Sequence, residues 1–218
     1  MKKFLRNNGL SLVFLVLFVL AMAGQSYTGL KQYNSELQET GRQQVKLLEY
    51  FSSGHFFEST FENWESEFLQ MGLFVVLSIF LYQKGSSESK DPDKDEDVNR
   101  EPNPLRKNVP WPVKKGGLIL YVYTYSLSIT FFLFFVLSFL LHWYGSMTDY
   151  NEEQAFKGSQ TQSAWQYLGN SKLWFESFQN WQSEFLSILG IVIFSIFLRQ
   201  KGSPQSKPID APNSETGD

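Results

Sequence analysis

The sequence predicts an all-α membrane protein with four transmembrane helices, arranged as two tandem helical hairpins of the same orientation. Three observations carry that expectation. Apolar residues gather into long uncharged blocks. The stretch FENWESEFL (residues 61–69) returns as FQNWQSEFL (residues 178–186). Lysine and arginine are unevenly shared among the segments between the blocks. A mean hydropathy of −0.23 resembles that of a soluble chain, but an average hides blocks, and the 21 phenylalanines fall mostly inside them. A net charge of −3 offers no basic surface, so nucleic acid is not an expected partner. Without cysteine there is no disulfide, thiolate nucleophile or Cys-based metal site, and His55 and His142 show no metal-ligand spacing.

The first block opens behind Lys2, Lys3 and Arg6 and carries no charge from Leu10 to Leu30. That is about 21 residues, enough to span a bilayer. Ala21-Met22-Ala23 also offers the small-x-small pattern of a cleaved leader. The repeat decides for a retained span. A shift of 117 positions puts residues 10–20 on 127–137, Tyr33-Asn34 on Tyr150-Asn151, Phe61 on Phe178 and Lys84 on Lys201, without a gap. A leader would have no such twin.

Residues 31–63 are polar, with loop points at Gly41 and at Ser52-Ser53-Gly54. The second span, about residues 64–83, is short. Its strictly apolar part is about 22 Å of helix, so it must recruit the turn holding Trp64 and Glu67 or thin the bilayer. Lys84-Gly85 closes it.

Residues 91–117 read as a charged linker. Its DPDKDED resembles the opening of a calcium loop. However, Glu96 stands where the glycine belongs and Pro102 where the closing glutamate belongs, so a solvated acidic linker is the better reading. Pro110-Trp111-Pro112 then anchors a third span over about residues 118–144. Residues 145–180 form the second polar segment, residues 181–199 the fourth span, and residues 204–218 a tail expected to be disordered.

Residues 1–90 and 118–203 are thus the two repeats. Fourteen Lys and Arg lie before the first apolar block, between the second and third and after the fourth, against five in the two loops. Both termini and the linker are therefore expected in the cytoplasm, and loops 31–63 and 145–180 outside. Two hairpins of equal orientation would be related by a pseudo-twofold axis along the membrane normal.

The candidate site follows from the doubled motif. At 100° per residue, Glu58 and Glu65 point nearly opposite to Glu67, which shares its surroundings with Asn63 and Trp64. In the second copy Glu58, Glu62 and Glu65 become Phe175, Gln179 and Gln182, while Glu67 and Asn63 recur as Glu184 and Asn180. Glu67 and Glu184, with Asn63 and Asn180, are therefore the candidate ion, proton or helix-pairing residues. The plainer alternative is hydrated side chains at headgroup depth. Trp64, Trp181 and Trp111 are the expected interface anchors. His142 reads as an interfacial polar group. No Walker loop, dinucleotide fingerprint, nucleophile elbow or HExxH is present, so no enzyme, cofactor or metal is expected.

The opening MKKFLRNNGLSLVFLVLFVLAMAGQSYTG and the SGHFFESTFENWESEFLQMGLFVVLSIFLYQKGS block with its second copy resemble a family of small uncharacterised bacterial multi-pass membrane proteins, known as a domain of unknown function. The resemblance covers nearly the whole chain and implies an inner-membrane protein; it carries over no activity and no assigned site. The expected function is that of a non-enzymatic envelope or accessory interaction protein. Its expected partners are the lipid bilayer and a further copy or another membrane protein. The alternative is a small proton or cation transporter or channel using Glu67 and Glu184.

Overall fold

The computed structural model describes residues 2–217, which hold helices and turns and no strand. In chain order these are α1 (Lys2–Glu39), α2 (Leu47–Tyr50), α3 (Gly54–Phe80), α4 (Trp111–Lys115), α5 (Gly117–Thr124), α6 (Ser126–Phe156), α7 (Ala164–Tyr167) and α8 (Ser171–Phe197), with one 3-10 turn at Asp97–Asn99. Three helical stretches are long and apolar enough to cross a membrane: Lys3–Glu39, Ser126–Phe156 and Ser171–Phe197.

Of the four expected spans α3 does not meet this criterion, so the expectation is corrected to three helices fit to cross by their own length and composition. α3 ends at Phe80, and its apolar part starts only at Phe68. That is about 20 Å of apolar helix, no shorter than the corresponding part of α8 (residues 185–197), so composition separates the two: α3 carries Glu65, Gln70 and Met71 where α8 carries Gln182, Ser187 and Ile188.

Helices and apolar blocks do not end together. α1 runs on through polar QYNSELQE to Glu39, and α6 through MTDYNEEQAF to Phe156. Both stop where a glycine adopts a left-handed conformation, Gly41 at φ 71° and Gly158 at φ 67°. There Arg42 N–H donates to Leu37 O at 2.7 Å and Ser159 N–H to Gln154 O at 2.9 Å, which satisfies the last carbonyls of each helix. The third apolar run is interrupted at Tyr125, between α5 and α6.

The chain divides into two compact units, Met1–Phe61 with Leu141–Leu173 and Glu62–Leu140 with Trp174–Asp218. In the first, Tyr33, Leu37, Tyr50, Tyr167 and Leu173 are buried. Leu30, Val45, Phe51 and Phe56 pack around Tyr33, Leu37 and Tyr50. Burial pushes the Tyr50 phenol above its ordinary pKa. Two asparagines clamp the turns after α1 and α6. Asn34 accepts from Val45 N–H at 2.7 Å and donates to Val45 O at 3.0 Å. Asn151 makes the same pair with Gln162, both bonds at 2.8 Å. Each clamp satisfies a backbone donor and acceptor that no helix serves. Asn34→Ala and Asn151→Ala are each expected to cost about 2 kcal/mol, readable as a lowered melting temperature in detergent. Unchanged melting in either variant would mean that water replaces the clamp.

In the second unit α3 and α8 lie side by side, and α6 packs on α3. The Phe68 and Phe134 rings are 5.1 Å apart, and Gly72 leaves room for Phe131 and Phe132, which a Cβ there would touch at 3.4 Å. The segment after α8 bonds to the residues after α3. Gly85 N–H donates to Thr216 Oγ1 at 2.8 Å, Gly217 N–H to Ser86 O at 3.0 Å, and the Ser86 and Ser195 hydroxyls meet at 2.9 Å. Lys207 Nζ donates to the Glu215 carbonyl at 2.7 Å.

Candidate functional site

Within the second unit, α3 and α8 bring two pairs of side chains together. The Glu67 and Glu184 side chains come close enough to influence each other. Glu67 is exposed and Glu184 half-buried. Their motif neighbours do not join them in the same way. Asn180 Nδ2 donates down its own helix to Glu176 O at 3.1 Å, and Asn63 is exposed. The Asn63 and Asn180 carbonyls accept from the Ser66 and Ser183 hydroxyls, each at 2.8 Å, the back-bonding that serine makes inside a helix.

The second pair is one the helical-wheel reading missed. Glu65, expected on a solvated face, is fully buried, and its Oε1 accepts from the Trp181 indole Nε1 at 2.9 Å. Trp181 is thus a hydrogen-bond donor to a carboxylate as well as an aromatic body, and it is half-buried, like Trp64. Trp111 is 63% exposed at the start of α4. The wheel separates Glu65 from Glu67 correctly, but it holds no information on which side another helix covers. The available signal was the indole, which seeks an acceptor when buried. Comparing the two copies hid it, because Glu65 has become Gln182.

Glu58, also expected to be solvated, lies in the first unit with its side chain only 16% exposed. Lys172 Nζ bridges it at 2.9 Å and Asp149 at 3.4 Å, joining the starts of α3 and α8 to the later part of α6. Two close approaches let these segments meet. Gly54 lies against the Gly145 carbonyl and the Asp149 backbone, and Gly145 lies against Phe57 and Glu58. His142 is fully buried, and His55 Nδ1 lies 3.3 Å from the Tyr50 hydroxyl.

No curated protein and no solved structure matches the chain. A family model does, over the full length: residues 1–218 match the one described as a domain of unknown function (DUF6766), and the chain belongs to that family.

Proposed function

We propose that this is a multi-pass protein of the bacterial inner membrane that works by interaction, as an accessory or envelope-maintenance component, and not by catalysis. The observation that carries the reading is the use made of polar side chains. Glu65 takes the Trp181 indole, Lys172 joins Glu58 and Asp149, and Ser86 meets Ser195. Each ties one helix or segment to another, as polar groups near a bilayer commonly do.

The same reading holds the two tandem hairpins. The Asn34 and Asn151 clamps stand 117 positions apart, as do Gly41 and Gly158 and the ring pairs Tyr33–Tyr50 and Tyr150–Tyr167, at 5.8 and 5.4 Å. α3, too polar by composition to span alone, crosses beside α8, with Glu65 served by Trp181 and Glu67 beside Glu184. Both termini then lie in the cytoplasm with most of the cations. Leu48 and Trp165, each 80% exposed on the four-residue helices α2 and α7, are left for the bilayer surface or a protein partner.

A second reading, a proton or cation pathway, is favoured by the meeting of Glu67 with Glu184. The test is Glu67→Gln with Glu184→Gln in one chain, expressed in a deletion strain across pH, salt and envelope stress. Full complementation at normal membrane abundance is the expected result. Lost complementation at normal abundance would overturn the interaction reading in favour of transport, to be followed as ion flux in liposomes.

A further inference from the structure

In the second unit a groove of about 530 Å³ runs along α3 and α8, lined by Leu73, Phe74 and Leu77 on one side and Phe185, Leu189 and Val192 on the other. Its place in the repeat says what fits it. Phe185 and Leu189 stand 117 positions after Phe68 and Gly72, the residues of α3 on which α6 is seated through Phe134, Phe131 and Phe132. Subtracting the same 117 from those three gives Phe14, Leu15 and Leu17 of α1. One seat is filled, and its counterpart is an open groove.

The counterpart of the occupant is bare as well. Phe14, Leu15 and Leu17 are 63, 57 and 54% exposed, and none of the most apolar window of α1 is buried. Two uncovered apolar faces in one chain thus correspond, residue for residue, to two faces that pack together.

We propose that the groove seats α1 of a second copy, so that two copies exchange their first helices about a twofold axis. Reciprocal exchange covers both grooves and both α1 faces at once and closes the assembly, as an isologous interface must. In lipid the gain is packing rather than exclusion of water, so it depends on shape. Phe14 and Leu15 bring less bulk than the two phenylalanines seated on Gly72, which suits a seat where leucine replaces the glycine. The proposal rests on the two-hairpin reading, because the register comes from it.

The chain has no cysteine, so introduced thiols report unambiguously. Two full-length chains with different tags, one Phe14→Cys and the other Leu189→Cys, are co-expressed and treated in membranes with a short bifunctional thiol reagent. The expected result is a linked product carrying both tags, about tenfold above that of Phe14→Cys with Phe194→Cys, whose second position is exposed but lies off the groove. Leu189→Trp, which fills the groove, should abolish formation of the dimer in mild detergent at unchanged abundance. A chain carrying Phe68→Cys and Phe134→Cys serves as the internal positive control. With that control linking, a two-tag yield no higher than for Phe194→Cys overturns the proposal. So does a Phe14–Leu189 link formed only within chains that carry both thiols. The hairpin reading fails by a different measurement: reporters fused to the two termini would lie on opposite sides of the membrane.

Discussion

Gly145→Ala is expected to destabilise the unit built from residues 1–61 and 141–173 by about 3 kcal/mol, the upper end of the cost of overpacking. A Cβ at Gly145 would stand 2.6 Å from the Phe57 Cβ and 2.8 Å from its carbonyl carbon, with the Glu58 backbone nitrogen closer still. Two of these atoms are backbone and have no rotamer to change. One helix must therefore move off the other. That movement also strains the contacts around it, the Lys172 bridge to Glu58 and Asp149 and the edge contact of Phe57 with Tyr144. The measurement is thermal unfolding in detergent, with Gly9→Ala and Gly24→Ala as references. Neither reference glycine has anything within 4 Å of a built Cβ. Both lie inside α1, where alanine is the better helix former by roughly 0.5–1 kcal/mol, so those variants should melt no lower than the parent. If Gly145→Ala melted with them, the close approach of α3 and α6 would be wrong.

Trp181→Phe is expected to cost about 2–3 kcal/mol, the range for losing a hydrogen bond to a charged group. The ring remains, but Glu65 loses its indole donor at a fully buried position. The decisive variant is the double one. Removing both partners of a buried polar pair can be nearly neutral, because no carboxylate remains to be stabilised. Trp181→Phe with Glu65→Met should therefore recover most of the loss, with a coupling of about 1–2 kcal/mol in the double-mutant cycle. Additive losses would mean that the indole and the carboxylate act independently.

The residues behind these two predictions and those of the Asn34 and Asn151 clamps differ in how far the sequence exposed them. Asn34 and Asn151 were visible in the Tyr-Asn pair that recurs at the 117 shift, because their partners are local and both copies keep them. Gly145 and Glu65 were not. Thr28 stands at Gly145's register in the first copy and Gln182 at Glu65's in the second, so comparing the copies discounts both residues. Their importance comes from segments far away in the chain. Gly145 matters because Phe57 lies against it, and Glu65 because Trp181, 116 positions on, reaches it.

What the sequence determined by itself was whatever depends on runs of neighbouring residues. It marked the apolar blocks that make three helices fit to cross a membrane, the loop point at Gly41 where α1 stops, and the register shared by FENWESEFL and FQNWQSEFL. Composition acts locally, so it is legible locally. Two things were decided by the tertiary structure alone. Helices α1 and α6 continue as polar helix past their apolar blocks, since helix propensity persists after hydropathy has changed. Glu65, not Glu67, is the buried acid, because a helical wheel fixes which residues oppose each other, and only the arrival of Trp181 fixes which side is covered.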